Sequence, residues 1–148
     1  MAPDTQTTVV PLVSSGTAGP LGAIHLPRLW LKLSLAARGA LPEGYDECGA
    51  GFDAMTLSGL GLDRDKTIEF VRTRKPRYME FEEWVGANGK TDKATIERHN
   101  AAIRAYNHGD DLASSMRSAS GIGNTSVKDA VTLNTVEDLD EIYARSLR

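Results

Sequence analysis

Residues 26–39 read LPRLWLKLSLAARG, and this stretch decides the fold class. Pro27 suits the first turn of a helix, where its missing N–H costs no intrahelical hydrogen bond. Leu26, Trp30, Leu33 and Ala37 then mark one side at spacings of three and four, and Leu29 and Ala36 widen it. Leu31 and Leu35 place apolar groups on the other sides, so the predicted helix is mostly enclosed. Gly39 and Pro42 end it.

The same period continues downstream. A short helix is predicted over 52–57, and Asp63 is a fitting N-cap for the next, with Ile68 and Val71 inward. Pro76 separates that helix from one carrying Tyr78, Phe81, Trp84 and Val85, whose Glu80, Glu82 and Glu83 are expected to face water. Gly86, Asn88 and Gly89 end it. Thr91 is expected to cap a longer helix with Ile96, Ile103 and Tyr106 as its stripe, joined by His99 and Asn100. After Gly109, Asp110 restarts a helix bearing Leu112 and Met116. Residues 118–126 read as a loop, and 128–133 suit either a strand or a helix. In the last helix Thr135 and Asp138 resemble a capping box, with Leu139, Ile142, Tyr143 and Leu147 as the packed face.

The expectation is therefore a mainly α fold: a compact bundle of about six or seven short helices over 26–148, forming one domain, preceded by an irregular N-terminal arm over 1–25. The arm is rich in Thr, Ser, Pro and Gly, and Pro11 and Ser14-Ser15-Gly16 interrupt its apolar pieces. No strand–helix alternation suggests a doubly wound sheet.

Composition narrows the partners. A formal charge of −3 over 148 residues argues against a general nucleic-acid surface, which needs a concentrated basic patch. Arg72, Arg74, Lys75 and Arg77 do cluster, but the glutamates that follow offset them. One cysteine permits no intrachain disulfide and favours a reducing compartment. Residues 1–20 lack a secretory pattern, and no run approaches the ~18 apolar residues of a membrane span. A cytoplasmic location is expected, with a small organic molecule as partner, no nucleic acid, no membrane, and a homodimer compatible with the sequence.

The chain has no GxGxxG fingerprint, P-loop, paired zinc-type cysteines or GxSxG elbow. Neither a cofactor nor a metal is expected. Lys32 interrupts an apolar helix. Its stem either snorkels to water or aims its amine into a pocket, where desolvation favours a base. Arg28 lies one turn earlier on the same face, and the two form a candidate anion-binding edge. Tyr45, Asp46, Glu47 and Cys48 gather a phenol, two carboxylates and a thiol in one loop; the phenol can donate to a developing oxyanion. Asp53 caps the short helix, pairs with Lys32, or accepts a proton at a cavity rim. His99 is either a hydrogen-bonded core histidine or a general base. Asn100 can orient a carbonyl, and Trp84 packs or walls a cavity. Cys48 reads as a small buried apolar group.

Six segments, LPRLWLKLSLAARG, GYDECGAGFDAM, GLDRDKTIEFV, FEEWVGANG, IERHNAAI and VKDAVTLNTVEDLDE, follow one another in an order that resembles the domain of unknown function 5069 family. The resemblance spans roughly residues 26–145. Pro27, Arg28, Lys32, Tyr45, Cys48, Asp53, Trp84 and Asn100 match its pattern; Leu31 and Ser34 depart from it, standing where an acidic and a basic residue are usual. The family name implies no reaction.

Two functions fit these residues. One is a cofactor-independent isomerase, lyase or hydrolase acting by general acid/base chemistry on a small, partly apolar substrate with a carbonyl, epoxide or carboxylate group. Lys32, Tyr45, Asp53 and His99 would be catalytic, and Arg28, Trp84 and Asn100 would hold the substrate. The alternative is a non-catalytic module that binds a ligand or a protein.

Overall fold

In the computed structural model, which describes residues 7–148, the 26–39 stretch forms α1 (Leu26–Ala37). It is followed by α2 (Phe52–Gly59), α3 (Arg64–Arg74), α4 (Tyr78–Asn88), α5 (Lys93–Ala105), α6 (Asp110–Ser120) and α7 (Ala130–Ile142). A π-helical turn, Tyr143–Leu147, extends α7. The fold is all-α; among the described residues the only β pairing is two isolated bridges, Ala18 with Ile24 and Asn107 with Asp129. No helix among them is long and apolar enough to cross a membrane.

The enclosed character of α1 has a direct cause. Leu26, Leu29 and Leu33 are buried in the principal core with Leu57, Leu60, Val71, Phe81 and Val85. α1 packs on α3 and α4, α2 on α5, and α6 on α7. Ile24, Phe52, Ile103 and Ala130 form a second, smaller core. Ile24 and Phe52 thereby seat the residues just before α1 and at the start of α2, the two places from which the candidate site is built.

Several helix boundaries differ from the sequence expectation, each for a local reason. Asp92, not Thr91, caps α5, accepting from the Thr95 amide at 3.1 Å. Gly86 lies inside α4 rather than ending it. The ambiguous 128–133 segment is the start of α7, capped by Asp129 through the Thr132 amide at 2.9 Å. Thr135 and Asp138 therefore sit inside the helix and form no capping box. This register buries Ala130, Leu133 and Asp138, leaving Leu139, Tyr143 and Leu147 more than half exposed. Tyr106 is the C-cap of α5 and is also exposed. Glu82 is buried rather than facing water: its carboxylate accepts from the Leu21 amide at 3.0 Å and the Tyr78 hydroxyl at 2.6 Å.

Those Glu82 bonds help to hold the arm against the helices. The Val9 amide bonds the Ala40 carbonyl at 2.8 Å, and Val10 is buried. The irregular arm expected over 1–25 is thus seen from residue 7 as an irregular but packed segment; residues 1–6 lie outside the described residues.

Two glycines at the end of α4 make opposite demands. A Cβ on Gly89 would stand 2.5 Å from the Leu60 carbonyl oxygen, which is backbone and has little room to retreat, whereas a Cβ on Gly86 would meet open space. Gly89→Ala is expected to lower the unfolding free energy measured in urea. Gly86→Ala is expected to raise it by about 0.5–1 kcal/mol, because alanine loses less backbone entropy in a helix.

Candidate active site

A cleft of about 550 Å3 opens between the arm, the 43–51 loop, the start of α2 and the α7 side of the molecule. His25, Arg28, Lys32 and Asp53 form its floor and are all buried. Phe52, Tyr106 and Leu112 supply apolar wall.

Asp53 is the centre of this arrangement. As a first-turn residue of α2 it faces α1 and accepts three hydrogen bonds: from Lys32 Nζ at 2.5 Å, from His25 Nε2 at 2.7 Å and from the Gly49 amide at 2.8 Å. Burial opposes ionisation of the carboxyl, but the His25 hydrogen bond and the Lys32 charge outweigh it and hold its pKa down at about 2. Asp53 is therefore an anionic anchor near neutral pH and a poor proton acceptor. The pairing with Lys32 considered from the sequence is present, and it commits the amine to Asp53.

His25 is the residue the sequence reading passed over. It precedes α1 with φ of 69°, in the left-handed region that a non-glycine side chain rarely adopts. That backbone turn aims the ring at Asp53. Because an ionised carboxylate only accepts, Nε2 carries the proton and Nδ1 is left as an acceptor. The Ser15 hydroxyl donates to Nδ1 at 2.9 Å. Burial lowers the His25 pKa against the opposing pull of Asp53, so the ring is neutral at pH 7. The result is a hydrogen-bond chain, Ser15–His25–Asp53–Lys32, along the cleft floor. The only signals in the sequence were a histidine at the junction of arm and helix and a Ser-Ser-Gly interruption in the arm.

A second anchor lies beside the first. Arg28 Nη1 donates to Asp138 at 2.6 Å and to the Pro11 and Val13 carbonyls at 2.7 and 2.9 Å, while Nη2 reaches the other Asp138 oxygen at 3.2 Å. The Tyr45 hydroxyl donates to Asp138 at 2.9 Å. Burial and then the Asp138 charge push the Tyr45 pKa well above the usual phenol value. Arg28 is thus fully engaged inside the protein.

The remaining expected site residues do not join them. His99 Nε2 donates to the Ile24 carbonyl at 2.8 Å, and Asn100 accepts from the Ile24 amide at 3.0 Å and donates to the Gly22 carbonyl at 2.8 Å. Neither lines the cleft; both hold the segment that carries His25. Trp84 stacks on Phe70, ring centroids 4.8 Å apart, on the edge of the principal core and away from the cleft. Cys48 is buried, and burial raises its thiol pKa. Among the described residues, no three His, Cys, Asp or Glu side chains converge as a metal-binding group.

The electrostatics of the cleft also depart from an anion-binding edge. Both floor cations are paired with buried carboxylates, while Glu43, Asp46, Glu137 and Glu141 line the opening. Burial and the neighbouring Asp138 charge raise the Glu137 pKa. The cleft thus presents excess negative charge. Comparison of the sequence with protein-family models and with curated proteins gave no match.

Two outcomes check these anchors. Asp138→Ala leaves Arg28 buried beside carbonyls alone, and its expected cost in a urea unfolding titration is about 3–5 kcal/mol. The pH dependence has a fixed sign. Unfolded histidines take up a proton as pH falls through 6.5, while native His25 and His99 resist. Stability therefore falls below pH 6.5, by up to about 1.4 kcal/mol per pH unit for each such proton. Asp53 extends the trend: its contribution is present above 3.8 and is lost as pH drops towards about 2. His25→Gln is expected to flatten the slope just below pH 6.5 by up to one proton's share. An unchanged slope would place His25 outside a proton-excluding site.

Proposed function

We propose that the chain is a cofactor-independent enzyme acting by general acid/base chemistry on a small, partly apolar molecule with a carbonyl or similar electrophilic group. The observation that carries this reading is neutral His25, held between the Asp53 carboxylate and the Ser15 hydroxyl at the floor of the cleft. A neutral imidazole with one nitrogen oriented by a carboxylate and the other bonded to an O–H is arranged to take a proton. Asp53 fixes the tautomer and would stabilise the imidazolium that forms, and Lys32 keeps Asp53 ionised.

The substrate's character follows from the lining. Phe52, Tyr106 and Leu112 offer apolar contact, and the carboxylates at the opening disfavour a carboxylate-bearing ligand. A neutral or amine-bearing molecule fits better. Tyr45 lines the cleft beside Arg28 of its floor, and His99 and Asn100 act through the backbone they hold.

The test is turnover of a panel of small esters, ketones and epoxides followed by NMR. Wild-type protein is expected to convert one class, with kcat rising through a single ionisation below pH 6.5. His25→Gln should lower kcat by about 10²–10⁴-fold, the usual worth of a positioned general base. A His25→Gln variant as active as wild type would sink the reading. Ligand binding indifferent to that substitution, with no turnover, would point to the non-catalytic module instead.

A further inference from the structure

We infer that Ser15 is a nucleophile and that the cleft hydrolyses esters through an acyl-enzyme. This inference rests on the proposed role of His25 as the base and goes beyond it by naming the atom that receives the substrate's acyl group.

The two adjacent serines of the arm use their hydroxyls differently. Ser14 spends its hydroxyl on structure: it accepts from the Gly16 amide at 3.1 Å and bonds Thr135 Oγ1 at 3.2 Å. Thr135 in turn donates to the Val131 carbonyl at 2.7 Å, so Ser14 is part of a small network joining the arm to α7. Ser15 is different. It is buried, at 3% exposure, but lines the cleft, and its Oγ meets His25 Nδ1. The nitrogen it meets is the unprotonated one, because the other is committed to Asp53. A hydroxyl donating to a neutral imidazole whose far nitrogen is held by an ionised carboxylate is the arrangement that activates serine.

The step balances without an added oxidant or reductant. Ser15 Oγ bonds to the acyl carbon of an ester, and its proton passes to His25 Nδ1, while the Nε2 proton stays on the bond to Asp53. The tetrahedral adduct collapses by breaking the bond to the alcohol oxygen, which leaves with the Nδ1 proton. Water then repeats the sequence: it gives a proton to Nδ1 and its oxygen to the acyl carbon. Ser15 departs and recovers that proton. The sum is ester plus water to acid plus alcohol. The carboxylates at the opening, Glu43, Asp46, Glu137 and Glu141, favour esters that are neutral or carry an amine, and they repel the acid once formed.

The test uses the full chain and two probes, a fluorophosphonate and p-nitrophenyl acetate, read by intact mass and peptide mapping. A single phosphonyl adduct on Ser15 is expected, together with a burst of p-nitrophenol equal to the protein concentration. Ser15→Ala should abolish both, Ser14→Ala should retain both, and His25→Gln should slow labelling at least 100-fold. Ser15→Cys guards against loss of folding in the alanine variant: its new thiol should react with iodoacetamide faster than Cys48, and His25→Gln should remove that advantage. No adduct on Ser15, or labelling that persists in Ser15→Ala, overturns the inference. If Ser15 stays unlabelled while substrate turnover survives Ser15→Ala and still requires His25, the nucleophile is wrong and the general-base reading stands. If His25→Gln also leaves turnover unchanged, both fail.

Discussion

A buried carboxylate is tolerable only when its oxygens are met, and Asp53 is met by three donors from two segments of the chain. Lys32 comes from the middle of α1, His25 from the residue before it, and Gly49 from the loop before α2. Satisfying one charge therefore ties α1 to the start of α2, to the loop before α2 and to the turn that places His25. The left-handed backbone at His25 is held by the same contacts, with its ring fixed at both nitrogens and its amide bonded to the Thr17 carbonyl at 3.2 Å. A salt bridge of this kind adds little net stability compared with an apolar substitute; what it specifies is a single arrangement, because losing any one partner leaves a charge uncompensated in the interior.

The Arg28–Asp138 pair repeats the principle at longer range. It links α1 to α7 and, through the Pro11 and Val13 carbonyls, to the arm. Together the two pairs neutralise Arg28 and Lys32, the cations described on the cleft floor, so that the floor is polar but nearly charge-balanced and the opening is anionic. A neutral imidazole fits this setting, because the burial that would penalise an imidazolium outweighs the stabilisation offered by Asp53.

Much of the fold was legible because it is written in local period. The α1 stripe, the stop before Pro76 and the Asp63 cap are all decided within a few residues. The α7 register was not. A Thr-x-x-Asp spacing imitates a capping box, yet Asp138 is drawn into the interior by an arginine 110 residues away, a partner no window of sequence contains. The same limit applied to the site. Lys32, Asp53, Arg28 and Tyr45 were conspicuous as polar residues in apolar or chemically crowded segments, and the fold brings them to one cleft. His99 was conspicuous too, but its partner is a backbone carbonyl across the core. Ser15 and His25 carried almost no local signal, since their meaning lies in a bond across ten positions of irregular chain.

The chain order of these parts has a consequence for how the protein is made. Ser15 and His25 leave the ribosome before Asp53, and Asp138 follows well after all three. Until α7 arrives, Arg28 has only carbonyls to meet, and the wall that Ala130, Asn134, Glu137 and Glu141 provide does not exist. The arm must wait for α7 before it is clamped on both sides. A nascent chain thus carries Ser15, His25 and Asp53 without the enclosure that sets their environment, and the cleft is completed only once α7 packs against the rest.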